Sequence, residues 1–510
     1  MKNFLYSIVL GVVVISMSSC RNDFEFSDST GKLGFSQDTV FLDTVFSTIG
    51  SSTRTFKVYN NSNQDIMIPT VGLARGNDSK YRLAVDGVPG QLFENVELLA
   101  NDSLYVFIET TINIADFSNA NQFVYEDVIE FDSGANLQQV RLVTLVKDAV
   151  FLFPERDANG IEETLLLGTD GENNEVRISG FFLNDQELVF TKEKPYVIYG
   201  FAGIPPEKTL SIEPGARLFF HSQSGIIAAN EASLQINGMA STTETMENQV
   251  ILEGDRLEPG FDDVAGQWFG IWLTSGSKNH KISHTTIKNA SIGIIMDNQN
   301  PDSNGATLQI DNSEIYNSSN IGLLATTADI EAENLIINNA GQSSLVVRLG
   351  GSYRFNNCTI TNYWNKGFRQ DPTLILSNAF PNTNLTEPLN QALFTNCIIY
   401  GDRDLELSLR AAEGVEFNFK MENTLLRFND RFNDFVGNGL YDFTNTQLYE
   451  NVKLNENPFF ENPQSDLLRI DTESAANALG NLATATRTDI QGTIRSNEPD
   501  AGAYESVDLE

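Results

Sequence analysis

The chain has 510 residues, room for two or three domains of ordinary size. Its 33 Lys and Arg face 68 Asp and Glu, a net charge of −35, which argues against nucleic acid, anionic membrane surfaces and polyanionic substrates unless a cation intervenes. Three histidines argue against a His-rich metal centre.

Residues 1–19 read as a targeting segment. "MKNF" carries one positive charge, "LYSIVLGVVVIS" is an apolar run too short for a comfortable permanent span, and "SMSSC" sets small residues before Cys20. The pattern resembles a bacterial lipoprotein signal. That resemblance implies cleavage before Cys20 and a lipid on its thiol, making the membrane a partner through this anchor. Residues 20–32, including "RNDFEFSDSTG", read as an acidic flexible tether similar to the surface-export signals of some envelope lipoproteins.

Residues 33–149 alternate apolar and polar in short runs, among them "TRTFKVYNNS", "DSLYVFIETTI" and "QQVRLVTLVKD", with turn residues about every ten positions. This predicts an all-β sandwich. It resembles the immunoglobulin-like domains of the abnormal-spindle and hydin kind, which implies a spacer or adhesion module. Residues 150–195 are turn-rich ("DANG", "TDGENNEV") and read as a linker and N-terminal cap.

From 196 to 487 a different repeat takes over. "NSEIYN", "NLIINN", "NCTITN" and "NCIIYG" share one frame. Aligned on the leading polar residue, the anchors are His284, Asn312, Asn334, Asn357, Asn396 and Asn423, spaced by 28, 22, 23, 39 and 27 residues. A period in the low twenties is one rung of a solenoid, and the longer gaps are rungs carrying loops. Offsets −2, +1 and +3 point inward if each anchor turns a corner. Asn suits that corner because it tolerates left-handed backbone, and stacked amides can bond one another as a ladder. Offset +1 stacks Cys358 and Cys397 in neighbouring rungs; free thiols are expected there, and a disulfide is the alternative.

"LSIEPGARLFF" (210–220), "LQINGMAS" (234–241) and "GQWFGIWL" (266–273) resemble coils of right-handed parallel β-helix proteins, the pectate-lyase-like superfamily. "TDIQGTIRSNEPDAGAYE" (488–505) resembles their closing segment, so 488–510 is expected to be a cap shielding the open edge of the last rung.

The resemblance implies a fold that carries polysaccharide lyases and glycoside hydrolases. A lyase base would come from Lys366, Arg369 or Arg403, with Asp402, Asp404 and Glu406 as Ca²⁺ ligands, all beside the longest insertion. Ca²⁺ is the single cofactor left open. A hydrolase needs carboxylates on neighbouring rungs; the paired acids of "FDDV" (261–264) read as a solvated turn. Trp268, Trp272 and Trp364 are candidate sugar platforms. The expected protein is a lipid-anchored cell-envelope protein, at the outer membrane on its periplasmic or outside face. A non-catalytic glycan-binding, adhesion or scaffold role is the first reading. A polysaccharide lyase or glycoside hydrolase is the alternative, and the partner is a polysaccharide or another envelope protein.

Overall fold

The computed structural model describes residues 25–117, 123–243, 245–297, 307–381 and 383–509; Cys20 and the targeting segment lie outside the described residues. The chain divides into two compact units, Met1–Asp148 and Ala149–Glu510.

The first unit is a sandwich of two sheets. One contains Ser27–Asp28, Ile66–Leu73, Val124–Phe131, Gln138–Lys147 and Thr39–Phe46, with Leu92–Leu98 also paired to Ile66–Leu73. The other contains Gly34–Phe35, Arg54–Tyr59, Ser103–Thr110, Tyr81–Val85 and Val88–Gly90. Period-2 alternation sends Leu104, Val106 and Ile108 inward, where they share one core with Val58, Ile68, Ile129 and Leu142. The buried Tyr81 hydroxyl donates to Tyr125 O at 3.0 Å, which satisfies it inside that core. The tether needs one correction. Ser27–Asp28 pairs in parallel with Ile66–Met67, and Ser27 N donates to Asp65 O at 3.1 Å, so the fold begins inside the segment expected to be flexible.

The second unit is a parallel β-helix. Val150–Leu152 pairs in parallel with Tyr196–Ile198, so the first rung starts within the segment expected to be a linker. Each later rung contributes three strands. Tyr196–Ile198, Phe201–Ile204 and Thr209–Ile212 pair in register with Arg217–Phe220, Gly225–Ala228 and Ser233–Asn237 one rung on. Parallel crossovers of this kind take the right-handed sense. No rung can bury its apolar face alone, so stacking builds one continuous interior. Ile287, Ile315, Ile337, Ile360, Ile399 and Leu426 form one inward column. Phe355 lies on Phe394 with ring centres 5.1 Å apart, a second stack running along the axis. Cys358 and Cys397 are buried free thiols in adjacent rungs, and desolvation pushes the Cys358 thiol well up.

The end of the helix corrects the expected cap. The loop after the last full rung folds Phe428, Phe435, Tyr441 and Phe443 into an aromatic plug over the interior, with Phe428 and Tyr441 stacked at 5.0 Å. The closing segment goes elsewhere. It runs back along the outside of the helix over the strands that follow the Asn corners. Ile470, Ala476, Leu479 and Ala501 pack on Ile398 and Leu425, while Leu468, Ala503 and Tyr504 pack on Ile336. Outward-pointing Ile336, Ile398 and Leu425 are apolar, and that face must be covered.

Candidate active cleft

The corner anchors fix the frame of the site. His284, Asn312, Asn334, Asn357, Asn396 and Asn423 have φ of 45°, 46°, 49°, 50°, 54° and 50°, the left-handed region that Asn tolerates best after glycine. Asn451, at φ 52°, is a further corner absent from the sequence alignment; its rung is short, with Lys453–Leu454 pairing to Leu425–Leu426. The expected amide ladder is corrected in one respect. Asn334 Nδ2 donates to Asn312 Oδ1 at 2.9 Å, but the later anchors turn to the returning segment instead. Thr486 N donates to Asn357 Oδ1 at 2.9 Å, Asn481 N to Asn396 Oδ1 at 2.8 Å, and Asn423 Nδ2 to Leu479 O at 3.0 Å. A docked peptide with its own N–H and C=O groups competes for the same amides.

Arg495 is the buried hub of that segment. Its Nη2 donates to Asn334 Oδ1 at 3.0 Å and Gly502 O at 2.9 Å, and its Nη1 to Glu505 Oε1 at 2.9 Å. Gly502, at φ +96°, lies where a Cβ would come within 2.7 Å of Ile398 Cδ1, so the chain approaches the sheet that closely only as glycine.

A cleft opens where this cover ends. The column Thr286, Glu314, Ile336, Thr359, Ile398, Leu425 faces outward, one residue per rung. From Ile336 onward it is covered by the returning segment; Glu314 stays partly exposed, and Thr286, though largely buried, lines the same opening. The cleft is about 630 Å³, walled by Thr285, Thr286, Glu314 and Tyr316 below, residues 240–243 with Met246 and Gln249 on one side, and Asp466, Arg469, Gln491 and Tyr504 of the returning segment on the other.

Two carboxyls meet this space. Glu314 receives Thr286 Oγ1 at 3.4 Å and the Tyr504 hydroxyl at 3.5 Å; desolvation raises its pKa above the ordinary value, against these hydroxyls, which lower it. Asp466 sits at φ 60° just past a short 3-10 turn, with Asn338 Nδ2 and Asn339 Nδ2 both donating to its Oδ1 at 2.7 Å. Burial pushes its pKa up to about 7; the two amides and the nearby Lys366 charge hold it from rising further. Burial likewise raises the Tyr316 and Tyr504 hydroxyls well above the usual range, so both are donors at neutral pH.

The residues singled out in the sequence scatter. Lys366 comes nearest: its Nζ bonds Asn317 Oδ1 at 2.7 Å and the Asp263 carbonyl, behind Asp466. It is a charge that tunes a carboxyl. "FDDV" serves through its backbone, Asp262 O receiving Asn289 Nδ2 at 2.8 Å and Asp263 O receiving Asn317 Nδ2 at 2.9 Å. Arg369 is buried, its guanidinium clasped by Glu406, and Glu406 also accepts Thr373 N at 2.8 Å and Arg403 N at 2.9 Å. The Arg403 guanidinium donates to Arg369 O at 2.6 Å. This is a structural knot in which the buried Arg369 and Glu406 spend their polar groups on each other and on neighbouring backbone. The Ca²⁺ expectation is corrected on the same ground. Glu406 and Asp402 bind Arg369, and Asp404 binds Arg427 at 3.2 Å and Arg431 at 2.8 Å, so the three carboxylates face arginines and no common point. Among the described residues no group of three His, Cys, Asp or Glu is placed to hold a metal.

Of the tryptophans, Trp268 is corrected. Trp268 is 1% exposed, stacked on Phe220 at 4.2 Å inside the helix, and cannot serve as a platform. Trp272 is half-buried on the outer face, its Nε1 donating to Asp297 Oδ2 at 3.1 Å. Trp364 is half-buried beside Gly341. None of the three lines the cleft. Glu314, Tyr316, Asp466 and Tyr504 were missed in sequence. The available signal was a polar pair, Thr286 and Glu314, in a column that is otherwise largely apolar.

No family model and no curated protein matches this chain. Among solved structures it is similar to the catalytic unit of a thermostable GH87 α-1,3-glucanase from Streptomyces thermodiastaticus strain HF3-3, at 12% identity and a TM-score of 0.27 over 73% of this chain and 79% of that one. It is also similar to the catalytic domain of a GH87 α-1,3-glucanase variant in complex with tetrasaccharides, at 12% identity and a TM-score of 0.20 over 73% and 81% of the two chains.

Proposed function

We propose that this protein is a carbohydrate-active enzyme of the cell envelope that hydrolyses glycosidic bonds in the cleft between the Glu314 rung and the returning C-terminal segment. The observation that carries the reading is the pair of half-buried carboxyls, Glu314 and Asp466, in one cleft, each with its pKa raised by desolvation. Such carboxyls are costly unless satisfied or used, and two in one concave site suit acid–base work. Glu314 protonates the leaving glycosidic oxygen as the bond to the anomeric carbon breaks. Asp466, whose amide donors favour its anion, takes the proton of the attacking water or attacks the carbon itself. Of the two readings the sequence supports, this favours the enzyme over the passive glycan binder.

The immunoglobulin-like sandwich acts in this proposal as a spacer, and Cys20 as the lipid-bearing residue that ties the chain to the outer membrane. Palmitate labelling lost on Cys20→Ala and protease shaving of intact cells test the anchor and its side. For the reaction, the test is incubation with a glycan panel, reading reducing ends and ultraviolet absorbance. Reducing ends without an unsaturated product are expected, and Glu314→Gln or Asp466→Asn should each lower the rate about 100-fold or more. An unsaturated product would mean a lyase; activity unchanged in both variants would remove the cleft from consideration.

A further inference from the structure

We infer that the cleft receives a chain of uncharged sugars and not a polyuronate, an inference that rests on the carbohydrate reading above. Among the described residues, the charged side chains lining it are Glu314, Asp466 and Arg469. The one cation among them is engaged: Arg469 Nε donates to Glu461 Oε2 at 2.8 Å. Lys366, the cation behind Asp466, is held by Asn317 Oδ1 and the Asp263 carbonyl. A uronate carboxylate entering here would meet two carboxyls and one arginine whose charge is already shared with Glu461, on a chain whose net charge is −35.

What the walls do offer is neutral. Gln249, Ser465 and Gln491 line the cleft, and among the described residues their side chains make no hydrogen bond within the protein. An amide or hydroxyl both donates and accepts, as a sugar hydroxyl does, so these three suit an uncharged ring. Met246 and Leu467, both more than a third exposed at the rim, present apolar surface to the C–H faces of the same rings.

The test is calorimetric titration of the purified full chain at pH 7 with soluble neutral glycans (a glucan, a mannan and a galactan) and with polygalacturonate. Binding of a neutral polymer, with no heat from polygalacturonate, is expected. Gln249→Ala and Gln491→Ala should each weaken that binding by about tenfold, with unchanged thermal melting to show that the fold is intact. Polygalacturonate binding more tightly than every neutral polymer overturns the inference and leaves the carbohydrate reading standing. Binding of neither class overturns both.

Discussion

Arg495 and Asn334 lie 161 residues apart in sequence and meet at 3.0 Å, Nη2 to Oδ1. That contact fastens the returning segment to a corner of the helix. Arg495→Met should cost about 3–5 kcal/mol, because Glu505, Asn334 and two carbonyls lose their buried donor. Limited proteolysis should cut the variant in 480–505 well before the rungs. Equal protection of that segment in variant and parent would show that the clasp does not hold it.

The corner backbone can be separated from the corner amide. At Asn357, φ 50° and fully buried, Ala should lose both the left-handed tolerance and the bonds to Thr486 and Asp500. Gly should lose only the bonds. Asn357→Ala is therefore expected to be less stable than Asn357→Gly by about 1 kcal/mol in denaturant titration.

Asp466 gives stability a slope with pH. It binds its proton more tightly in the fold, with a pKa near 7, than in the unfolded chain, where 3.8 is the ordinary value. Between these pH values the folded state holds more protons, so stability falls as pH rises from about 4 to about 7 and levels off above. Asp466→Asn should flatten that part of the profile and melt higher than the parent at pH 8. A steeper fall in the variant would be the contrary result.

In the proposed reaction the same group would set the acid limb of the pH profile. If Asp466 works as the anion, turnover should drop below about pH 7 as it takes up a proton. Lys366→Met removes the nearby positive charge that lowers this pKa, so the limb should move to higher pH. An unmoved limb would mean that Lys366 acts only as a strut under Asn317 and the Asp263 carbonyl.

Much of the helix was legible in sequence because its logic is local. A corner wants Asn, the third residue after it wants a branched apolar side chain, and the repeat shows both without any partner being known. Ile315, Ile337 and Ile360 could be placed in one column from spacing alone. The cleft was hidden because it is assembled from 314–316, 240–249 and 466–504, and nothing in the short-range pattern says that a tail will turn back. Arg369 and Glu406 misled for a related reason: opposite charges beside a long loop look the same whether they bind a ligand or each other. Glu406→Ala should accordingly lower the melting temperature, leaving the buried Arg369 short of its bidentate partner, and added Ca²⁺ should leave the parent's melting unchanged.

Synthesis runs from the amino end, so Arg495, Gly502 and Tyr504 leave the ribosome after every rung they touch. The solenoid can coil and close around its aromatic plug while the cleft beside Glu314 still lacks a wall. A message cut short near its end would therefore yield a well-packed rod with Asp466 still held by Asn338 and Asn339 but Glu314 stripped of its Tyr504 neighbour and open to water.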